Sequence, residues 1–384
     1  MPRALAKLPA ELPIRVREVL IVAGEASGDM HAGAVAERLG ALRPDLTLTG
    51  FGGDRMEAAG VTLFRRTTGV VGFIEILRHL PAHWTMLRSI RARLRSGHVK
   101  LVMCVDYGGF NLRVAAAAKA AGVPVLYYIT PQVWASRAGR LKAMARTITK
   151  AAVILPFEEE LLRAHGIDAT FVGHPLLDSV SNLPTRAEAR RRLQVPENVP
   201  LLAMFPGSRP QEIDRHLLDF ARVEAELRQR IPALRSVVAG ATTAPITSPG
   251  FGTQVVDGAS LSLFCAADVA LCKSGTTTLE AALAGCPCAI VYRTSPITYA
   301  IAKRVVTIGR IGLLNIVAGR EVAPEFVQDA FVPTAVADAL EPLFNAGSSA
   351  RATMIQGLAE VRAKLGAPGA SARVAQMASQ MVPA

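Results

Sequence analysis

Short apolar runs alternate with helix-like segments along nearly the whole chain. Eleven of these runs have the length and composition of β-strands. Runs that are apolar on both faces, such as Ala151–Leu155 and Cys288–Tyr292, are typical of strands covered by helices on both sides. The pattern predicts an α/β fold in which parallel sheets are joined by crossover helices. The predicted strands are Val19–Gly24, Leu46–Gly50, Leu101–Asp106, Val125–Ile129, Ala152–Leu155, Thr170–Gly173, Leu201–Phe205, Ser236–Ala239, Gln254–Val256, Val269–Cys272 and Ala289–Tyr292.

The length of the chain indicates two domains, since 384 residues exceed what one hydrophobic core usually holds. The best boundary follows Pro175, where a charged helix at Arg186–Leu193 leads into a loop bracketed by Pro196 and Pro200. The predicted segments are a first lobe at 1–178, a linker at 179–198 and a second lobe at 199–349. The Ala-rich tail, about 350–384, is helical in pattern, and in two-lobed folds such a tail commonly packs back on the first lobe.

Composition is that of a reduced, cytoplasmic chain. Hydrophobic residues make up 51% and the mean hydropathy is +0.30, yet no apolar run reaches the roughly 18 residues of a bilayer span. The N-terminal segment lacks a signal-peptide core followed by a cleavage site. The 5 cysteines show no zinc-binding spacing, which favours cysteine used as a small apolar side chain. The apolar surplus is therefore expected in cores or in a surface that contacts something apolar.

A net charge of +12 favours an anionic partner. With 5 tyrosines, 2 tryptophans and no nucleic-acid-binding motif, the chain is unsuited to stacking on bases, so we expect no nucleic acid among its partners. The charge is concentrated, because the stretch from Arg65 to Lys100 contains eight Lys or Arg residues and one acid, Glu75. Phosphorylated substrates and an anionic membrane face remain as classes of partner.

Two sets of apolar residues recur at helical spacing within this basic stretch. The second set, Met86, Ile90 and Leu94, is expected in the core of the first lobe. The first set is flanked by glycines and by Arg65 and Arg66, which favours an exposed strip rimmed by cations over burial. Such a strip binds anionic membranes, each basic residue adding about 1 kcal/mol near the surface. The predicted membrane-contact residues are Val70, Phe73, Ile74 and Leu77.

Two strand-to-helix turns in the first half carry candidate chemistry, because ligands of open parallel sheets bind beyond the carboxyl ends of strands. The turn Gly24–Asp29 lets a ligand approach its glycines, and the helix that follows favours an anion. Its polar side chains are Glu25, Ser27 and Asp29. The alternative is that Ser27 caps the helix and Asp29 complements its dipole. In the next turn Asp106 ends an apolar strand, where a raised pKa suits a general base, with a helix cap as the alternative.

Two turns in the second half suit a nucleotide diphosphate. Arg209 lies in the sequence PGSR between a strand and a helix, where a guanidinium and a helix N-terminus stabilise a departing diphosphate. The segment Ser274–Glu280 repeats this arrangement, and Glu280 offers a carboxylate to ribose hydroxyls or, alternatively, forms a capping box with Thr277. The candidate phosphate ligands of this segment are Ser274, Gly275 and Thr276.

Several catalytic motifs do not occur in the sequence, among them Walker A, HExxH, GxSxG and Asp-x-Asp. An Asp-x-Asp pair would bridge a metal to a nucleotide diphosphate. We therefore expect no metal and no cofactor, and a leaving group that is neutralised by arginine and helix dipoles.

Taken in order, these motifs resemble those of the lipid-A-disaccharide synthase family, which consists of inverting glycosyltransferases with the two-lobed GT-B fold. The matching segments run from AGEASGD through GGDRM, VDYGGFN, PQVWA, LPFE, VGHPL, PGSR and SGTTTLE to LLN and PEFVQ, over about residues 18–330. The ordered set is far more specific than any one segment. The chain departs from the family pattern at Gly108 and Leu314, where the family usually has proline.

The resemblance implies two Rossmann-like lobes whose parallel sheets face a central cleft. It implies transfer of a sugar from UDP-2,3-diacylglucosamine to 2,3-diacylglucosamine 1-phosphate (lipid X), giving a β-1,6-linked lipid A disaccharide 1-phosphate and UDP. It also implies the lipid A branch of lipopolysaccharide synthesis in a Gram-negative bacterium, peripheral on the cytoplasmic face of the inner membrane. The implied partners are the two acylated sugars and that anionic membrane surface, with a homodimer left open.

The resemblance also assigns roles to named residues. Asp106 matches the base on the acceptor 6-hydroxyl, with Glu25 and Asp29 as competitors for that role. Arg209 and the turn Ser274–Glu280 match positions around UDP. Polar family positions on the donor side match Asn315, Glu325 and Gln328.

Two other functions stay open on the sequence alone. A UDP-N-acetylglucosamine 2-epimerase shares the two-lobed fold and the UDP turns, although it has no need of a basic, apolar first lobe. Such an enzyme would convert the UDP-sugar without an acceptor. A non-catalytic UDP-sugar- or lipid-binding protein would tolerate Asp106→Asn without loss of function.

Overall fold

The computed structural model describes residues 17–24, 26–66, 80–136, 139–240, 246, 254–258, 260–295, 299 and 309–383. The chain divides into a first unit, Met1–Pro175 with Ala367–Ala384, and a second unit, Leu176–Gly366. Each unit contains one sheet, and every strand pairing in both sheets is parallel. The predicted α/β class is confirmed, whereas the assignment of an acceptor lobe, a linker and a donor lobe stays a prediction.

The first unit is built on a seven-stranded sheet. Its strands are β1 (Arg17–Ala23), β2 (Leu46–Gly52), β3 (Thr62–Arg66), β4 (Val99–Val105), β5 (Val125–Tyr128), β6 (Lys150–Val153) and β7 (Ala169–Phe171). Its helices before the second unit are α1 (Ala26–Leu42), α2 (Asp54–Ala58), α3 (Leu80–Arg95), α4 (Gly108–Ala120), α5 (Val133–Ser136), α6 (Arg140–Thr147) and α7 (Pro156–Arg163). The strand order is β3-β2-β1-β4-β5-β6-β7.

Both faces of the first sheet are covered by apolar side chains. Because successive residues of a strand point to opposite faces, Val19 and Leu20 of β1 belong to two different core clusters, and both are fully buried. The predicted burial of Met86, Ile90 and Leu94 on α3 is confirmed, since all three lie in the cluster that contains Leu20. The opposite side of α3 is left to the solvent.

The second unit repeats this plan with a six-stranded sheet. Its strands are β8 (Leu201–Phe205), β9 (Arg235–Gly240), β10 (Gln254–Asp257), β11 (Val269–Lys273), β12 (Cys288–Tyr292) and β13 (Glu325–Val327), in the order β10-β9-β8-β11-β12-β13. Its α-helices are α8 (Arg186–Arg192), α9 (Pro210–Arg230), α10 (Ser260–Ala266), α11 (Thr277–Ala284), α12 (Leu313–Ala318), α13 (Pro333–Leu340) and α14 (Ser349–Lys364). Short 3-10 helices span Pro175–Asn182, Gln328–Ala330 and Glu341–Phe344.

The C-terminal tail belongs to both units. Helix α14 lies in the second unit, and the last helix, α15 (Ala370–Met381), packs against α1 of the first unit. Val374 and Ala378 of α15 are fully buried in the cluster that contains Val19. Arg43, just after α1, donates hydrogen bonds to the carbonyl oxygens of Ser379 and Val382, both at 3.2 Å. Helix α15 therefore completes the core of the first unit.

All eleven predicted strands occur within a few residues of their expected bounds, and two observed strands were not predicted. Strand β3 is an edge strand that is half-buried or exposed and ends in two arginines, so it presents no apolar run. Strand β13 is three residues long and begins with Glu325. Neither carries the pattern of a buried strand.

Arg190 fixes the segment that precedes β8 to the second unit. Its side chain is fully buried, and its guanidinium donates to the carbonyl oxygens of Pro196 at 2.6 Å and Val199 at 2.9 Å. It also donates to the carbonyl oxygen of Ala266 at 2.9 Å and pairs with Asp268 at 2.8 Å. One guanidinium therefore satisfies several backbone acceptors that would otherwise be left unpaired.

We expect Arg190→Met to lower the free energy of unfolding of the second unit by about 3–5 kcal/mol. The substitution leaves a partly buried carboxylate without its ion-pair partner and several carbonyl oxygens without a hydrogen-bond donor. Arg191→Met is the matched control, since Arg191 is the exposed neighbour on the same helix. Urea denaturation followed by circular dichroism measures the unfolding midpoint of each variant. Equal midpoints for Arg190→Met and Arg191→Met would contradict the expectation.

Candidate functional site

In each sheet the strand order changes direction between two adjacent strands, β1 and β4 in the first unit and β8 and β11 in the second. Turns that leave the carboxyl ends of such strands diverge and leave a crevice, which is where open α/β sheets bind ligands. We call the turns 24–29 and 106–111 the first switch point and the turns 206–212 and 273–280 the second. The four turns predicted to carry chemistry therefore fall together in pairs.

The two turns of the first switch point are in close contact. A Cβ atom on Gly24 would lie 2.2 Å from the Tyr107 ring, so only glycine fits there. A Cβ on Gly28 would lie 3.7 Å from Cβ of Asp106. The structure thus brings the glycine turn after β1 against the predicted base.

The backbone at Asp106 is held in an uncommon conformation. Asp106 and Tyr107 are both left-handed, with φ of 51° and 55°, and Ile129 at the end of β5 has φ of 58°. Each such residue costs about 1–3 kcal/mol and persists only where its surroundings hold it. Here the Asp106 carbonyl accepts hydrogen bonds from Asn111 Nδ2 and from the Tyr127 hydroxyl, both at 2.9 Å. Strain of this kind is concentrated at functional sites.

The Asp106 carboxyl is suited to accept a proton. Burial raises its pKa above the ordinary value, and a hydrogen bond from the Tyr107 backbone opposes this effect only in part. A carboxylate with a raised pKa is a stronger base than a solvated one and remains ionised above that pKa.

Tyr107 follows Asp106 in the chain and contacts His83, and neither residue was singled out by the sequence. A His83 ring nitrogen is hydrogen-bonded to the Tyr107 hydroxyl, and both rings contact Phe110 at 5.4 Å and 5.5 Å between centroids. The adjacency of Tyr107 to Asp106 was a usable signal. His83 offered none, because it lies on α3, distant in sequence from the turn that it contacts.

The three predicted residues of the first turn, Glu25, Ser27 and Asp29, have different outcomes. Asp29 is buried, and its carboxylate accepts the N–H groups of Gly53 at 2.6 Å, Arg55 at 3.0 Å and Met56 at 3.2 Å. It therefore caps α2 rather than its own helix. Ser27 is exposed in the first turn of α1, and Glu25 lies outside the described residues. Their roles in binding stay predictions.

Trp134, in α5 beyond the end of β5, is oriented by a buried acid. Its indole Nε1 donates to Glu158 Oε1 at 3.0 Å, and its ring meets Phe157 edge-on at 5.0 Å. Glu158 Oε2 accepts the N–H of Leu155 at 3.1 Å, which caps α7. Burial raises the pKa of Glu158 from 4.5 to about 7, although the bonds from Trp134 and the backbone oppose it.

At the second switch point, glycines shape both turns. Gly207 has φ of 136° and Gly275 has φ of 157°, conformations that L side chains rarely adopt. Arg209 is the exposed N-cap of α9, and Thr276 is the N-cap of α11. Ser274 donates its hydroxyl to the Ile311 carbonyl at 2.7 Å. Two helix N-termini and an arginine therefore lie at adjacent strand ends, an arrangement that favours anions.

An ion pair that the sequence did not reveal connects these turns. Lys273 Nζ lies 2.8 Å from Glu212 Oε1, and Glu212 Oε2 accepts the N–H of Ser208 at 3.2 Å. Glu212, four residues after Ser208, therefore supplies the carboxylate that accepts this N–H. Lys273 and Glu212 are 61 positions apart, so their contact cannot be predicted from a local sequence pattern.

Glu280 lies half-buried in the first turn of α11. Burial raises the pKa of Glu280, and a hydrogen bond from the Ser260 side chain opposes the rise. No cap hydrogen bond from the side chain of the N-cap residue is formed at this helix. The N-cap is Thr276 rather than Thr277, so Glu280 is not the third helical residue that a capping box needs. Binding of ribose by Glu280 stays a prediction.

Asn315, Glu325 and Gln328 organise the loops beside the second switch point. Asn315 is fully buried, accepts the N–H groups of Val322 and Ala323, and donates to the Ala323 carbonyl and to Glu325. Glu325 accepts the backbone N–H groups of Ile311 at 2.8 Å and Gly312 at 3.0 Å. Gln328 exchanges two hydrogen bonds with the Thr294 backbone, at 2.6 Å and 3.2 Å. Contact of these three residues with substrate stays a prediction.

The predicted membrane-contact residues, Val70, Phe73, Ile74 and Leu77, lie outside the described residues. In the parts of the chain that the structure describes, no helix is both long enough and apolar enough to span a bilayer. The same parts contain no cluster of three or more His, Cys, Asp or Glu side chains arranged to hold a metal ion.

Comparison with known proteins identifies the family. The family model described as lipid-A-disaccharide synthetase matches residues 19–380. The lipid-A-disaccharide synthase of Myxococcus xanthus (strain DK1622) is 38% identical over 374 residues, covering 95% of this chain and 97% of that protein. That of Syntrophus aciditrophicus (strain SB) is 39% identical over 375 residues, with 95% and 97% covered.

The chain belongs to the lipid-A-disaccharide synthase family.

As a member of this family the chain is a glycosyltransferase, and the epimerase is not favoured. The fold is of the GT-B type. The solved structure of the glycotransferase of kitacinnamycin has a TM-score of 0.63 at 16% identity, covering 96% of this chain and 100% of that one.

Both departures from the pattern of lipid-A-disaccharide synthases have a structural counterpart. A Cβ on Gly108 would lie 2.9 Å from Cβ of Pro131, so this family member has room there only for glycine. At the other departure, Leu314 is fully buried in α12 and donates its backbone N–H to Thr278 Oγ1 at 3.3 Å. A proline would lack that donor.

The raised pKa of Glu158 predicts a pH-dependent signal from Trp134. The chain has 2 tryptophans, so Trp84→Phe leaves Trp134 as the single indole fluorophore. We expect its emission to change with a midpoint near pH 7, because ionisation of Glu158 creates a negative charge on the carboxylate that accepts the indole N–H. The added variant Glu158→Gln should abolish the transition. A midpoint near 4.5, or a transition that survives this substitution, would contradict the assignment.

Proposed function

We propose that this family member condenses UDP-2,3-diacylglucosamine with 2,3-diacylglucosamine 1-phosphate to form the β-1,6-linked lipid A disaccharide 1-phosphate and UDP. The observation that carries the proposal is the family match over residues 19–380 together with the content of the two switch points. The first holds a half-buried carboxyl with a raised pKa that can act as a base, and the second holds glycine turns and helix N-termini that favour a diphosphate.

Asp106 acts as the base in this proposal. It takes the proton of the acceptor 6-hydroxyl while the oxygen attacks C1 of the donor sugar from the face opposite UDP. The bond between C1 and the diphosphate oxygen breaks, its electron pair leaves with UDP, and the configuration at C1 inverts. The raised pKa of Asp106 and its fixed backbone support this role, because a base must be both basic and positioned.

The leaving diphosphate is stabilised by Arg209 and the turn Ser274–Thr276, without a metal ion. Glu280 accepts hydrogen bonds from ribose hydroxyls. Asn315, Glu325 and Gln328 hold the loops on the donor side, which their hydrogen bonds to backbone groups support. Preorganised donors of this kind stabilise charge as it develops in the transition state.

Asp106→Asn should lower kcat by about 10²- to 10⁴-fold while UDP binding is retained, because the amide keeps the shape but cannot take the proton. The assay contains both acylated sugars and EDTA, and mass spectrometry detects the disaccharide. In the wild type, activity should fall as the pH drops through the raised pKa of Asp106, since the protonated form is inactive.

Asp168→Asn serves as the control, because Asp168 is an exposed acid of the same unit. Full activity of Asp106→Asn would refute the base assignment and favour Glu25 or Asp29. Conversion of the UDP-sugar without an acceptor would instead indicate an epimerase, and loss of wild-type activity in EDTA would refute metal independence.

We also place the enzyme on the cytoplasmic face of the inner membrane, with Val70, Phe73, Ile74 and Leu77 in contact with lipid. Helix α3, which follows this strip in sequence, supports the proposal. Its Trp84 is 62% exposed, and the exposed side also carries Arg88, Arg91 and Arg95. An indole next to arginines is typical of a surface that binds anionic lipid.

Replacing Phe73, Ile74 and Leu77 by serine should abolish co-sedimentation with anionic vesicles and reduce activity on acylated substrates, because apolar area and charge together provide membrane affinity. A triple serine variant of the exposed Leu218, Val332 and Ile355, all in the second unit, is the matched control. Unchanged vesicle binding of the first variant would rule the strip out as a membrane contact.

A further inference from the structure

Lys273 stands between the two turns of the second switch point, at the end of β11. Its side chain is 17% exposed, and that of its partner Glu212 is 22% exposed. A Cβ on Gly275 would lie 3.9 Å from Nζ of Lys273, so the ammonium lies close over the backbone of the second turn. Its ion pair with Glu212 keeps it beside the first turn. The cation is therefore held where both turns meet.

Glu212 demonstrates that the first turn accepts an anion. Its Oε2 accepts the N–H of Ser208 at 3.2 Å, at the N-terminal end of α9. The carboxylate lies against Gly207, where a Cβ would come within 2.7 Å of Oε2. Glycine at this position thus permits close approach by a negatively charged group. The Glu212 carboxylate therefore already occupies the anion-binding position of this turn.

Stability alone is a weak reason for this ion pair. The cost of removing two charges from water largely offsets their attraction in a partly buried pair, and apolar residues of similar size often serve as well. The pair also lies at the carboxyl edge of the sheet, where ligands bind, rather than in the body of the unit. Position and energetics both favour a cation that meets a charged ligand.

We propose that Lys273 is a donor-binding residue whose ammonium pairs with the nucleoside diphosphate. The inference rests on the proposed function, since it needs a nucleotide donor at the second switch point. Glu212 holds the ammonium between the turns, and a diphosphate, which carries more negative charge than one carboxylate, draws it to the phosphate oxygens. Contact with Lys273 then stabilises the charge that UDP gains as the bond to C1 breaks.

Calorimetric titration with UDP and with uridine tests the contact. Lys273→Met keeps the length of the side chain and removes its charge, so UDP affinity should fall about tenfold to a hundredfold. Uridine affinity should not change, because uridine has no phosphate. Lys119→Met, an exposed lysine of the first unit, is the control and should bind both ligands as the wild type does.

The double variant Lys273→Met with Glu212→Gln separates contact from mere neutralisation of Glu212. If Lys273 touches the diphosphate, UDP affinity stays low in the double variant, and this result would support the proposal. If Lys273 only neutralises Glu212, removal of both charges restores wild-type affinity, and this result would overturn it. The double variant also removes the unpaired carboxylate, so a folding defect of the single variant does not obscure the outcome.

The same titrations separate this inference from the proposed function. A wild-type protein that does not bind UDP would refute both. If the wild-type protein binds UDP, Arg209→Ala weakens this binding and Lys273→Met leaves it unchanged, only the role of Lys273 is refuted.

Discussion

The parallel direction of all strands determines where chemistry can occur in this molecule. Because every strand in a sheet points the same way, all carboxyl ends lie along one edge, and the turns that follow them are neighbours. The reversal of strand order beside β1 and β8 then leaves a crevice at one point of each edge. A carboxyl group occupies one crevice, and glycine turns with cations occupy the other. The two units thus have the same architecture but carry different chemical groups at the crevice.

The carboxyl edge of the first sheet is also where the fold is least relaxed. Two consecutive left-handed residues, Asp106 and Tyr107, are maintained by hydrogen bonds from Asn111 and Tyr127 to a single carbonyl oxygen. Gly24 leaves the space that the Tyr107 ring fills. Neighbouring side chains therefore determine the position of the Asp106 carboxyl. Substitutions at Asn111 or Gly24 would act on catalysis through geometry, not through charge.

Sequence patterns predicted the parts of this structure that depend on neighbours in the chain. Eleven strands and the four turns follow from local hydropathy and from glycine, and they occur as expected. The edge strand β3 was missed because arginines interrupt its pattern. Contacts between distant segments, such as that of Lys273 with Glu212, have no local signature. For the same reason the sequence did not indicate that the Asp29 carboxylate caps α2.

Helix α15 affects how the chain is made. Its apolar face completes the core over α1, so the ribosome synthesises the second unit between two portions of the first. Domains generally fold as units in order of synthesis. Here the second unit, Leu176–Gly366, can finish folding while α1 still exposes the surface that α15 will cover. The nascent chain therefore carries an uncovered apolar patch until α15 has been synthesised, and until then this patch is a target for chaperones.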